Sequence, residues 1–162
     1  MGKQRIPLTR GILQIKESGV DYTPHLYTYD KDAVTESAAS ELGISIHQVI
    51  KTLVMEDSDD SAFLVLMHGG KQVSTKKISK IREKKFVRPT DTKRAEKYTG
   101  YKIGGISPFG TRRNMKIYLQ ESILILSKVY INGGRRGLLI EMAPDNLVSV
   151  LEPEIADIIQ RR

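Results

Sequence analysis

The chain contains no cysteine and no tryptophan, and aromatic residues make up only 6% of it. Without cysteine there is no disulfide framework, no thiolate nucleophile and no cysteine-held zinc or iron–sulfur centre. So sparse an aromatic content leaves no row of stacking platforms for single-stranded nucleic acid. The start, Met1-Gly2-Lys3-Gln4-Arg5, is charged, but no apolar run of signal-peptide length follows it, and no stretch approaches a membrane span. His25, His47 and His68 are scattered along the chain and suit structural roles, so neither a catalytic triad nor a metal set can be assembled. Neither the dinucleotide fingerprint nor a Walker-type Gly-Lys-Ser or Gly-Lys-Thr occurs. Together these absences lead to the expectation of a soluble cytoplasmic protein that uses no metal and no cofactor.

What is present is a length of 162 residues, 40% of them hydrophobic, which suits a single domain over 1–162 with its own core. The net charge is +7. Lysine and arginine gather at Lys71 to Lys85, Arg112-Arg113, Arg135-Arg136 and Arg161-Arg162, a distribution that favours a polyanionic partner such as nucleic acid. The run Lys76 to Lys85 reads as the outer side of an amphipathic helix, with Ile78 and Ile81 spaced as a core stripe. Arg112, Arg113, Arg135 and Arg136 adjoin glycine-rich loops, where a phosphate near a pocket would lie.

Helix and strand signals alternate without a regular βαβ rhythm, which argues for an α+β domain. Helices are expected over Thr9–Ser18, Thr35–Leu42, Lys76–Arg82, Lys93–Tyr98, Pro144–Leu151 and Pro153–Gln160, several of them stopped by Gly19, Gly43 or Gly100. Strands are expected over Tyr22–Tyr29, Thr52–Met55, Ala62–Met67, Phe86–Arg88, Lys116–Leu119, Leu126–Ile131 and Leu138–Met142. Ser45 and Gln48 form a capping-box pattern for one short turn that delivers Lys51 to the strand Thr52–Met55. A turn at Asp57 to Asp60 pairs that strand with Ala62–Met67, placing Lys51 away from the hairpin tip.

Three stretches look built around one small ligand: Val49 to Val54, Gly104-Gly105-Ile106-Ser107-Pro108-Phe109-Gly110, and Asn132-Gly133-Gly134-Arg135-Arg136-Gly137. Glycine lets backbone N–H groups approach a ligand closely and permits positive φ where a loop doubles back. A lysine entering a strand opposite such loops makes a pocket for a charged or carbonyl-bearing substrate.

The same residues carry a family resemblance. Gln48 to Leu53, Thr99-Gly100-Tyr101 with Gly104 to Gly110, and Gly133 to Leu138 with Glu141 resemble the signature stretches of the YbaK family, in the family's order and at similar spacings, over nearly the whole chain. That family contains free-standing aminoacyl-tRNA deacylases and is related to the editing domain inserted in bacterial prolyl-tRNA synthetases. The resemblance implies a mixed, partly closed β-barrel flanked by short helices, and trans-editing hydrolysis of the ester of a mischarged tRNA. The partners it implies are the 3′ end of an aminoacyl-tRNA and a prolyl-tRNA synthetase. It makes Lys51 the catalytic residue, with no side-chain nucleophile. It also places substrate contacts at Tyr29, Thr52, Gly104, Gly105, Ser107, Asn132, Gly133, Gly134 and Leu139, and tRNA contacts at Arg112, Arg113, Arg135 and Arg136. Backbone N–H groups of the Gly104-Gly105 loop are expected to share the developing oxyanion with Lys51.

Asn132 and Leu139 stand where cysteine-selective members carry serine and aspartate, and Val34 stands near a usual aromatic wall. The substrate is therefore open between Cys-tRNA(Pro) and another small amino acid on tRNA, and a silent swap at the rim is an equal alternative. A non-catalytic tRNA-binding or synthetase-associated module is the competing reading, but such a module would have little reason to keep a positive charge at a strand entrance.

Overall fold

The computed structural model describes residues 5–161; Met1 to Gln4 of the charged start and Arg162 of the terminal arginine pair lie outside the described residues. Helix α1 (Arg10–Ser18) begins where the Thr9 hydroxyl accepts the Ile12 amide and ends at Gly19, which supplies a left-handed φ of 77°. Its buried side, Gly11, Ile12 and Ile15, faces the main core. Helix α2 (Val34–Leu42) stops at Gly43 in the same way. The Ser45/Gln48 capping box is formed around the 3₁₀ turn Ile46–Gln48, with bonds of 3.2 Å to the His47 amide and 3.4 Å back to the Ser45 amide. Ser74 and Asp91 cap α3 (Thr75–Arg82) and α4 (Thr92–Thr99), and Pro144 opens α5 (Pro144–Leu151).

Eight strands, β1 (Thr23–Leu26), β2 (Val49–Asp57), β3 (Ala62–His68), β4 (Val87–Pro89), β5 (Lys116–Gln120), β6 (Val129–Asn132), β7 (Leu138–Met142) and β8 (Glu154–Ala156), form one mixed sheet. Its path is β1-β7-β6-β2-β3-β5-β8, with β4 branching from β2. The expected α+β class, with short helices flanking a mixed sheet, is what is found.

Strand β2 organises the molecule. One of its edges pairs with β3 from Ile50 to Glu56. The other edge is shared: Val49 and Ile50 pair in parallel with Tyr130 and Ile131 of β6, while Met55 to Asp57 pair antiparallel with β4. Between those partners Lys51, Thr52 and Leu53 have no strand beside them, and the sheet splits there.

Several sequence expectations need correction. Pro153–Gln160 is not a helix. Glu152 ends α5 with φ 48°, Pro153 cannot continue it, and β8 instead pairs in parallel with β5. Isoleucines recurring at Ile155, Ile158 and Ile159 imitate a helical stripe, but Ile158 is pinned by its amide to Gln120 Oε1 and Ile159 bridges to Val73. The strand expected over Tyr22–Tyr29 covers only Thr23–Leu26. Leu126 caps a 3₁₀ segment, Glu121–Ile125, instead of starting β6. On α3 Ile78 is buried, but Ile81 is 39% exposed and takes no part in a core stripe.

Candidate functional site

The split in the sheet opens into a cleft of about 270 Å³, lined by Tyr27, Val34, Thr35, Ala38, Val49 to Leu53, Ile103, Gly104, Ile106, Asn132 and Leu139. Its walls are mostly aliphatic, and its polar groups are few. Lys51 is the third residue of β2, half-buried, and its ammonium donates to the carbonyl of Lys71 in the turn after β3. Burial lowers the Lys51 pKa from the ordinary lysine value, and the Glu36 carboxylate at the start of α2 partly opposes this. The cleft thus holds a cation whose charge is incompletely solvated.

Three lining residues carry a buried side-chain oxygen with no hydrogen-bond partner among the described residues: Tyr27 (the hydroxyl), Thr52 (Oγ1) and Asn132 (Oδ1). A buried polar atom left unpaired costs about 1–3 kcal/mol. Three such atoms belong to residues lining one cleft, and each calls for an explanation. Burial raises the Tyr27 pKa, so the phenol is neutral and able to donate; the Gly137 amide is close enough to oppose the shift but is not aligned for a hydrogen bond with the hydroxyl.

Two glycines show why the loops have their composition. Gly104 has φ 91°, and a Cβ there would lie 2.4 Å from the Tyr29 hydroxyl. A Cβ on Gly105 would lie 2.7 Å from the backbone of Arg135 and Arg136. The 104–105 loop is therefore pressed between Tyr29 and the Arg135-Arg136 turn, and only glycine admits that approach. The Gly105 amide is occupied by the Lys102 carbonyl at 2.9 Å. That corrects the expected pair of oxyanion donors: the Gly104 amide is the one without a partner among the described residues.

Of the residues singled out from sequence, Lys51, Thr52, Gly104, Asn132 and Leu139 line the cleft together. The others do not. Tyr29 buttresses Gly104 from behind and stacks under the Arg136 guanidinium at 5.1 Å. Ser107 is buried and accepts the Phe109 amide at 3.1 Å, a turn-closing role. Gly133 packs against Leu138 and Gly134 against the Tyr101 ring. Arg135 and Arg136 are exposed between two shallow grooves, one reaching Arg5 and Tyr29, the other Gly100, Tyr101 and Lys102. Arg112 lies beside Gly100 together with Arg10 but lines a separate opening with Gln14 and Asn114, whereas Arg113 stacks on Tyr98 at 4.2 Å.

Tyr27 is the functional candidate that sequence reasoning missed. It lies two residues from Tyr29 in His25-Leu26-Tyr27-Thr28-Tyr29, and the chain leaves β1 at Leu26, so strand alternation does not tell which tyrosine faces the cleft. Thr35 and Glu36 were also unmarked, because α2 reads only as a short helix.

A family model for the aminoacyl-tRNA editing domain matches residues 30–150. EbsC of Enterococcus faecalis, described as a "Putative Cys-tRNA(Pro)/Cys-tRNA(Cys) deacylase", is 29% identical over 151 residues, covering 93% of this chain and 92% of its own. The crystal structure of hypothetical protein APE2540 superposes with a TM-score of 0.85 at 27% identity, over 94% of this chain and 100% of that one. A second crystal structure, described as "a putative trans-editing enzyme for prolyl tRNA synthetase", gives a TM-score of 0.81 over 94% of this chain and 96% of that one. At 22% identity that likeness concerns the fold.

Proposed function

The chain belongs to the aminoacyl-tRNA editing domain family and is an aminoacyl-tRNA deacylase, and from that premise we propose that the Lys51 cleft receives the esterified 3′ end of the tRNA, with Lys51 as the catalytic residue. The observation that carries this is a half-buried ammonium at a gap in the sheet, in a cleft also lined by Tyr27, Thr52 and Asn132, each with a buried oxygen unpaired among the described residues.

An aminoacyl ester is already activated, so positioning and charge stabilisation suffice. Water attacks the ester carbonyl carbon, and the developing oxyanion is met by the Lys51 ammonium and the Gly104 amide. The bond to the ribose oxygen then breaks, releasing the amino acid and the tRNA 3′ end, whose vicinal ribose hydroxyl assists the water. Ala33, at the start of α2, offers no capping side chain, so the first amides of that helix beside Val34 and Thr35 add positive potential at the cleft wall. Arg135 and Arg136 stand between two grooves outside the cleft, one of which shares Tyr27 with it, and those arginines together with Arg112 and Arg113 take the phosphates that follow the terminal adenosine.

The aliphatic walls of Val34, Ala38, Val49 and Leu139 select a small side chain, and the unpaired Asn132 Oδ1 favours one that donates a hydrogen bond. A cysteinyl ester, as on Cys-tRNA(Pro), meets both conditions, and so does another small amino acid whose side chain donates a hydrogen bond. A prolyl-tRNA synthetase as working partner belongs to the same proposal and rests on the family resemblance alone. Incubation with a panel of charged tRNAs, following release of free amino acid, tests the reading: release that depends on Lys51 supports it, and no release from any small aminoacyl-tRNA overturns it. Asn132→Ser is the informative change for selectivity, with an expected re-ranking of substrates worth about 1–3 kcal/mol. Leu139→Asp is a poor companion to it. Leu139 is buried among Tyr27, Ala38 and Val49, where a lone carboxylate would be unpaired.

A further inference from the structure

A second opening, of about 720 Å³, lies beside the turn that holds Lys51, lined by Gly70, Lys71, Gln72, Gln120, Ser122, Ile159, Gln160 and Arg161. Behind its Ser122 and Gln120 lining, the hydrogen-bond partners determine where each proton sits. His68, the last residue of β3, is fully buried, with Nδ1 2.8 Å from the His47 carbonyl and Nε2 2.8 Å from Ser122 Oγ. A carbonyl only accepts, so Nδ1 carries the proton. Burial is the largest effect on His68 and disfavours a second proton; the hydrogen bond to the His47 carbonyl opposes it, but the balance, with the Lys71 ammonium nearby, lowers the pKa and leaves Nε2 as an acceptor. Gln120 is oriented independently. Its Oε1 accepts the Ile158 amide at 2.7 Å, so its Nε2 donates to Ser122 Oγ at 3.1 Å and to Asp157 at 3.3 Å. The Ser122 hydroxyl proton therefore points at the lone pair of His68 Nε2.

That is the relation of a serine nucleophile to its general base, with a backbone carbonyl in the place where a carboxylate usually holds the imidazole. His47, stacked on His68 with ring centroids 3.6 Å apart, fixes the plane of the base. Ser122 itself is only partly buried and reaches the opening. We propose that Ser122 and His68 form a second acyl-transfer centre, separate from the Lys51 cleft, that accepts carboxylic esters. Ser122 Oγ attacks the ester carbonyl while its proton passes to His68 Nε2. The carbon–oxygen bond to the leaving alcohol breaks, and the alcohol takes that proton. Water, deprotonated by the same nitrogen, then releases the acid and restores Ser122. Two cations line the opening, Lys71 and Arg161; Arg161 is paired with Asp157, which leaves Lys71 for the developing oxyanion.

A fluorophosphonate probe tests this without knowledge of the natural ester: Ser122 Oγ displaces fluoride from phosphorus, and the adduct is mapped by peptide mass. The expected result on the full chain is one adduct, at Ser122. Ser122→Ala abolishes it, and His68→Gln slows its formation about a hundredfold. Hydrolysis of 4-nitrophenyl acetate falls in parallel, while Ser122→Ala leaves release of amino acid from charged tRNA unchanged. The adduct site in the unmodified chain decides the matter even if His68→Gln folds poorly. No adduct at Ser122, or labelling unchanged by Ser122→Ala, overturns the proposal.

Discussion

Strand β2 buries charge towards both of its ends and treats the two differently. Near its C-terminal end Asp57 is fully buried and held by Arg82 at 2.6 Å, while Arg82 also reaches the Tyr118 hydroxyl and lies over the Phe63 ring at 4.2 Å. Its neighbour Glu56 meets Arg88 Nε at 3.0 Å and lies 2.9 Å from Arg94, near enough for an ion pair although not aligned for a hydrogen bond. Towards the other end, Lys51 has a single backbone carbonyl and a distant carboxylate, and the adjacent Thr52 hydroxyl has no partner among the described residues. The same strand thus provides a scaffold where charge is matched and a site where it is not. Matched charge fixes geometry, whereas unmatched charge keeps free energy available for a ligand.

The largest effect should come from breaking the matched end. Asp57→Ala leaves the Arg82 guanidinium buried without its carboxylate, and an uncompensated buried charge costs about 3–5 kcal/mol. The midpoint of denaturant unfolding should fall accordingly, and a change below about 1 kcal/mol would show that Arg82 finds solvent instead. Burial opposes ionisation of Asp57, but the Arg82 hydrogen bonds and the Asp59 and Ser61 amides outweigh it, so its pKa is lowered in the folded chain. Its stabilisation is then present above the ordinary carboxylate range and lost as pH falls through the lowered value. Asp57→Ala should flatten that acid limb.

Lys51→Ala sharpens the contrast from the other side. With the ammonium gone from an incompletely solvated cleft, the barrier to deacylation should rise by about 3 kcal/mol, roughly a hundredfold in rate. The same change should leave the unfolding midpoint within about 0.5 kcal/mol. Turnover within a few-fold of the unmodified chain would remove Lys51 from the mechanism. Lys51→Arg should fail as well, because the planar fork cannot occupy the space of a compact ammonium. After subtraction of spontaneous hydrolysis, the enzymatic rate should decline with rising pH at a value below that of an ordinary lysine, since burial lowers the Lys51 pKa.

How much of this was legible beforehand follows the same division. The matched features are local in sequence: the Ser45/Gln48 capping box, the glycine stops at Gly19, Gly43 and Gly100, and the β2–β3 hairpin are written in short patterns and legible there, whereas the caps at Ser74 and Asp91 were not picked out. Lys51, Asn132 and Leu139, named through the family resemblance, do line one cleft, because the order and spacing of motifs survive in sequence although side-chain direction does not. Tyr27 against Tyr29 could not be separated, because that choice depends on the Gly104 loop arriving from far along the chain. Likewise β8 was misread as helix, since only its parallel pairing with β5 makes Glu154–Ala156 a strand. The split of β2 between β6 and β4 is wholly a matter of topology and leaves no trace in the residues of β2.

Thr52→Val asks whether the unpaired oxygen is kept for substrate. Replacing a buried hydroxyl that bonds to nothing should be neutral to stabilising by up to about 1 kcal/mol. If the hydroxyl instead contacts the aminoacyl group, KM should rise while the unfolding midpoint does not fall. A clear loss of stability would mean that Thr52 is already satisfied, and the cleft would lose one of its three unpaired oxygens.

The smallest effect concerns cations at a distance from the cleft, and it extends the comparison to the surface. Arg88 and Arg94 are tied to Glu56, whereas Arg135 and Arg136 have no carboxylate partner among the described residues and stand between two grooves. A cation already neutralised by a carboxylate releases few counterions on meeting a phosphate. For a single-stranded 3′ end each phosphate neutralised contributes a slope of about −0.7 to the logarithm of affinity against the logarithm of salt. Arg135→Ala with Arg136→Ala should therefore flatten the salt dependence of tRNA binding by one to two such steps. Arg88→Ala should leave the slope unchanged, and any weakening it causes should track lost stability. Equal slopes for both variants would show that pairing within the protein does not decide which arginines meet the tRNA, and the contrast between matched and unmatched charge would then hold only inside the molecule.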